Sequence, residues 1–106
     1  MTRLARFSAS LSHNSTAIDA ASSYTTIGSV PYGRISVMTV VNTSDVDIRV
    51  SMNGTDDNFL IPAGSIRVFN WNSEGFFMDG TTDPKFKKVT GTPTAGGLLE
   101  FEFIHA

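Results

Sequence analysis

Apolar residues recur at every second position along most of this chain, and that period commits it to β structure. In Val46-Asp47-Ile48-Arg49-Val50-Ser51-Met52 the apolar side chains fall on one face and the polar ones on the other. Successive side chains of an extended strand point to opposite sides. The segment therefore reads as a half-buried strand, with Asp47, Arg49 and Ser51 facing outward or toward a neighbour. Leu98 to Ile104 repeats the pattern, with Leu99, Phe101 and Phe103 on one face and Glu100 and Glu102 on the other. Arg34 to Val41 is β-branched and apolar on both faces, as a central strand is. Between it and the strand at Val46 lie the turn formers Asn42-Thr43-Ser44-Asp45, which predict a hairpin.

The remaining apolar runs are short and closely punctuated. The turn Asn53-Gly54-Thr55-Asp56-Asp57-Asn58 is followed by Phe59-Leu60-Ile61, by the break Pro62-Ala63-Gly64, and by a strand from Ser65 to Trp71. Gly75 to Met78 is a short apolar piece, Lys85 to Val89 a short strand, and Gly91 to Gly97 a loop. Near the N-terminus, Leu4 to Leu11 and Tyr24 to Val30 read as strands joined by a Ser/Asn/Thr/Ala stretch from Ser12 to Ser23. In that stretch Ile18 anchors a short strand or a turn, and Thr16 to Ser22 admits a short helix as the alternative. The count is about seven to nine strands at close spacing, which predicts an all-β antiparallel sandwich, jelly-roll-like. The 106 residues read as a single domain. Residues 1–11 are either the first strand of its own sheet or an extended N-terminal arm. An arm would make Leu4, Phe7 and Leu11 interface residues.

The search for chemistry finds no catalytic set. There is no Cys, which excludes disulfides and thiolate metal sites. His13 and His105 have no second ligand or orienting acid at motif spacing, so both read as exposed bystanders. Asp45, Asp47, Asp56 and Asp57 gather beside turns, and Asn53 to Asn58 lacks the later glutamate of a calcium loop. No nucleophile elbow and no phosphate loop is present, so neither catalytic nor cofactor nor metal residues are expected. Asn14-Ser15-Thr16 and Asn53-Gly54-Thr55 match the glycosylation sequon. The N-terminus has no apolar run of a secretory signal, so these matches read as accidental and synthesis is expected in the cytoplasm.

Partners are constrained by charge. With 8 Lys+Arg against 10 Asp+Glu the net charge is −2, which argues against nucleic acid. The one basic cluster, Lys85, Lys87 and Lys88, reads as the solvated side of a strand. No apolar run reaches the ~20 residues of a membrane helix. The charged fraction of 17% is below a typical ~25%. Ser, Thr, Asn and Gly fill the difference, a surface suited to packing against neighbours. Trp71, at a strand end, reads as core packing, with an interface anchor or a sugar platform as the alternatives.

One resemblance joins these features. Val40 to Gly54, followed by Phe59-Leu60-Ile61-Pro62-Ala63-Gly64-Ser65 and the late loop Gly91-Thr92-Pro93-Thr94-Ala95-Gly96, resembles small β-sandwich structural proteins of tailed bacteriophages. The resemblance spans roughly residues 34–104 and is one of turns. It implies a virion component, foremost a capsid decoration or cement protein on the head shell, or else a neck or tail part. It also implies the major capsid protein or other virion proteins as partners, and a homotrimer or higher ring. The family carries no active-site motif to transfer. A carbohydrate- or receptor-binding module on the same scaffold is the reading from a different class.

Overall fold

The computed structural model describes residues 6–7, 10–28, 33–52, 59–71, 76–78 and 84–105, with the backbone alone described at 6–7, 33–34 and 76–78. In chain order the elements are β1 (Arg6–Phe7), β2 (Leu11–Asn14), α1 (Ser15–Ala20), β3 (Thr25–Thr26), β4 (Gly33–Asn42), β5 (Ile48–Ser51), β6 (Phe59–Ile61), β7 (Ser65–Asn70), β8 (Phe76–Met78), β9 (Lys85–Lys88) and β10 (Leu98–His105). They form two antiparallel sheets. One runs β1-β10-β4-β7, with β2 also pairing β10 and β8 also pairing β4; the other runs β3-β9-β5-β6.

β1 and β2 lie end to end along one side of β10, and β7 and β8 lie end to end along one side of β4. Counting each pair as one broken strand leaves eight positions. First then pairs with last, second with seventh, third with sixth, and fourth with fifth. That nested order is a jelly roll. It confirms the all-β sandwich expected from the alternation.

The core fills the space between the sheets. Met38 and Val40 of β4, and Leu99, Phe101 and Phe103 of β10, meet Ile48 and Val50 of β5, Ile61 of β6 and Phe86 of β9. The Phe86 and Phe101 rings are 6.3 Å apart, which sets β9 beneath β10. Phe59 and Phe69 rings, 4.4 Å apart, set β6 beneath β7. Each such fully buried side chain contributes roughly 1.5–3 kcal/mol through area removed from water.

Four expectations are corrected. Asn42 to Asp45 is not a hairpin turn, because β4 and β5 lie in different sheets. The segment is an arch, and Asn42 builds it from within. Its Nδ2 donates to the Val46, Ile61 and Pro62 carbonyls at 3.0, 3.2 and 3.2 Å. Its Oδ1 accepts from the Ser44 N–H and hydroxyl. Ser51 is buried rather than outward although it shares the parity of the half-exposed Arg49, and Lys85 of β9 lies directly across from it. The stretch from Ser12 to Ser23 is not simply a connector. It holds most of β2 and the helix α1, which starts where the Asn14 side chain accepts the Ala17 N–H at 2.9 Å and buries Ile18 in the core. Finally, His13 is not an exposed bystander, as described below. Of the first eleven residues, Arg6, Phe7 and Leu11 pair with β10 of the same chain; residues 1–5 and 8–9 lie outside the described part.

Candidate functional site

On β10 the buried residues Leu99, Phe101 and Phe103 alternate with Glu100 and Glu102, so both glutamates belong to the outer face of the six-stranded sheet. On β4 the buried Met38 and Val40 leave Val37, Thr39 and Val41 on that same face, half-buried. The register extends the face to β7, where Ile66 lies across from Val41 and Val68 across from Thr39. Across β4, Val41 in turn pairs with Glu100, and Thr39 with Glu102. Ile66 and Val68 are 66% and 61% exposed, the two most open large apolar side chains among the described residues. The other face of β7 is tied to β6. The Arg67 guanidinium lies 5.4 Å from the Phe59 ring and 5.1 Å from the Phe69 ring, and it donates to the Leu60 carbonyl at 3.3 Å.

A second feature lies at the end of the sandwich where the arch at Asn42, the turn at Pro62 and the loop from Gly91 to Gly97 converge. Asp45 accepts from the Thr94 N–H at 2.9 Å and from the Thr94 hydroxyl. The Thr94 hydroxyl first, then its N–H, hold the Asp45 carboxyl below the usual carboxylate range. Asp47 accepts the Ala63 N–H at 2.9 Å. Two open hollows flank Asp45. One, of about 220 Å³, is lined by Asp45, Val46, Asp47, Val89 and Thr90. The other, of about 340 Å³, is lined by Thr43, Asp45, Thr94, Ala95, Gly96 and Gly97.

The residues singled out from the sequence are scattered. Leu4 lies outside the described residues, as do Asp56 and Asp57. Phe7 is in β1, its backbone paired with Ile104. Leu11 is in β2 and packs, partly buried, against the core. Trp71 does the same just past β7, its ring 6.1 Å from the Phe69 ring and near parallel to it, while its backbone N–H donates to the Ser36 carbonyl at 2.9 Å. His13 is half-buried in β2, 4.6 Å from the Phe86 ring, with Nε2 on the Ile27 carbonyl at 3.1 Å. Burial holds its pKa below the ordinary 6.5. Period two runs through this polar stretch as Leu11, His13, Ser15, and a half-buried histidine is how the strand continues. His105 ends β10.

The basic cluster divides. Lys88 pairs with Asp19 of α1 at 2.6 Å, Lys87 lies 4.6 Å from the Tyr24 ring, and Lys85 is half-buried. Asn14 of the first sequon caps α1, and Asn53 of the second lies outside the described residues. Among the described residues no group of three or more His, Asp or Glu gathers as a metal site requires. No described helix is long and apolar enough to cross a membrane.

Sequence reasoning missed Ile66 and Val68. The signal was present, since from Ser65 to Trp71 one parity carries Arg67, Phe69 and Trp71 and the other Ile66, Val68 and Asn70. A strand apolar on both faces belongs in the middle of a sheet, and this one lies at its edge. Comparison with protein-family models, with curated proteins and with solved structures finds no match to this chain.

Proposed function

We propose that this protein is a non-enzymatic structural subunit of a virion, a decoration or cement protein that docks on the head shell of a tailed phage and stabilises it. The observation that carries the reading is the outer face of the six-stranded sheet, where Ile66 and Val68 stand 66% and 61% exposed beside Val41. Neighbouring exposed apolar side chains on one sheet face are the kind of surface that another protein covers. The turn pattern shared with small phage structural proteins supports the same reading, as does a scaffold class that recurs in viral capsids. The test is co-sedimentation of the purified protein with particles of the phage that encodes it. Electron microscopy of those particles then gives copy number and position. The reading expects density at symmetric sites on the head and loss of binding in Ile66→Asp/Val68→Asp. Density on the neck or tail would move the subunit there, and particles without the protein would overturn the proposal.

A second reading, a carbohydrate- or receptor-binding module, is favoured by the polar hollows on either side of Asp45. A glycan array hit that Asp45→Ala abolishes, on a chain that leaves particles bare, would put it first.

A further inference from the structure

The two broad outer faces of the sandwich carry opposite charge in matching positions. Across the six-stranded sheet the register reads Ile66, Val41, Glu100 in one row and Val68, Thr39, Glu102 in the next. The face therefore runs from apolar at β7 to acidic at β10, and no Lys or Arg side chain among those described lies on it.

Across the four-stranded sheet the buried Ile48 and Val50 of β5 and Phe86 of β9 turn Arg49, Lys85 and Lys87 to the outside. There the register reads Leu60, Arg49, Lys87. This face runs from apolar at β6 to basic at β9, and Tyr24 lies against Lys87 at its basic side. Adjacent strands are about 4.8 Å apart. In the six-stranded face the charged column lies two strands, roughly 10 Å, from the apolar one, whereas in the four-stranded face Arg49 lies one strand and Lys87 two strands from Leu60.

The layering aligns the two gradients. β6 lies beneath β7, as the Phe59–Phe69 contact requires, and β9 beneath β10, as the Phe86–Phe101 contact requires. A second copy set on the first by a near-translation therefore brings Leu60 over Ile66 and Val68. The same movement brings Lys85 and Lys87 over the strip that holds Glu100 and Glu102, and Arg49 of β5 over Val41 and Thr39 of β4. No rotation in the plane of the sheet is needed.

We infer that copies of this chain associate head to tail, the basic outer face of one four-stranded sheet seating on the acidic and apolar outer face of the next copy's six-stranded sheet. A contact of this kind is heterologous. It propagates as a stack, and closes into a ring when each step also tilts. The inference rests on the assembly reading above and adds to it a second copy as the neighbour on this face and the direction of growth; the copy at the end of a stack keeps its six-stranded face free for the shell.

The experiment uses the full chain and two charge-reversed variants, Glu100→Lys/Glu102→Lys and Arg49→Glu/Lys87→Glu. Circular dichroism checks that each keeps its strand spectrum, and sedimentation velocity reads the mass. The natural chain should associate at low salt, and its apparent Kd should rise at least about tenfold at ~1 M salt, where the screening length is roughly 3 Å. Each variant alone has two like-charged faces and should sediment as a monomer. Their equimolar mixture should associate again, because every basic face then meets an acidic one. If either variant loses its strand spectrum, Glu102→Gln and Lys87→Gln replace the pair, and each should weaken association about threefold.

A natural chain that is monomeric at low salt overturns the inference. So does a reversed variant that associates as the natural chain does, or a mixture that stays monomeric. The outcome is separable from that of the virion proposal. A monomer that still co-sediments with particles removes the stack alone, and a stack that leaves particles bare removes the virion subunit alone.

Discussion

Asn42 has no exposed surface, yet its amide faces three backbone carbonyls and its Oδ1 takes both donors of Ser44. Removing such a side chain strands the buried Val46 and Ile61 carbonyls, so Asn42→Ala should cost about 2–4 kcal/mol in chemical denaturation. Asn42→Asp keeps the shape but turns the donor into a charged acceptor aimed at the same carbonyls. At neutral pH it should cost at least as much, and an Asp variant as stable as the natural chain would remove this role from Asn42. Next along the chain, Ile48 is fully buried whereas Arg49 is half-exposed on the opposite face. Ile48→Ala should therefore cost about 2–4 kcal/mol, and Arg49→Ala well under about 1 kcal/mol in the monomer. The opposite order of costs would mean a register shifted by one residue. His13 gives a pH dependence with a definite sign. Its folded pKa lies below the ordinary 6.5, so the unfolded chain takes up its proton first as pH falls. This contribution is present in full above about pH 6.5 and is lost as pH falls through the folded value. His13→Gln should flatten that decline, read as the difference in melting temperature between about pH 7.5 and 5.

At the scale of the elements, period two was enough for the strands whose two faces differ. β5 and β10 are found where the alternation of Val46 to Met52 and Leu98 to Ile104 puts them, and β4 is interior, as its two apolar faces imply. What the alternation does not contain is which sheet a strand joins. Asn, Ser and Asp between two strands serve a hairpin or an arch equally well; here the choice is made by where the Asn42 amide finds acceptors, far along the chain at Ile61 and Pro62. α1 is shorter than propensity alone resolves, because its six residues are held by a cap and one buried Ile18. The candidate docking face was hidden for a related reason. Ile66 and Val68 look like core until β7 is known to be an edge. Gly97 also becomes readable only once the arch is in place. A Cβ there would sit 2.6 Å from the Ser44 Cα and 3.0 Å from its Cβ, against backbone that Asn42 has fixed. Gly97→Ala must displace the arch and should destabilise by roughly 1–3 kcal/mol. Gly64→Ala meets nothing nearby, though its φ of 71° carries its own strain of about 1–2 kcal/mol. A denaturation midpoint for Gly97→Ala equal to that of the natural chain would mean the loop can move away from the arch.

At the scale of the whole molecule, nested pairing makes the two ends of the chain unequal. β10 is flanked on one side by β1 and β2 and on the other by β4, so the last strand holds the first in place. It also supplies Leu99, Phe101 and Phe103 to the core. Burial of those three contributes on the order of 5–9 kcal/mol, comparable with the whole net stability of a domain, about 5–15 kcal/mol. Among the described residues of the N-terminal piece, β1 pairs Arg6 with His105 and Phe7 with Ile104. A chain lacking residues 98–106 should therefore show no cooperative melting, while one lacking residues 1–10 should keep its strand spectrum and melt within a few degrees of the natural chain. The same asymmetry bears on folding. The six-stranded sheet cannot close before the last strand exists, so refolding should be slow for the length, in the millisecond-to-second range of folds dominated by distant pairings. Cooperative melting of the chain without residues 98–106 would mean that the four-stranded sheet folds by itself. The first-to-last pairing would then be a late addition to the molecule and not the contact on which both sheets depend.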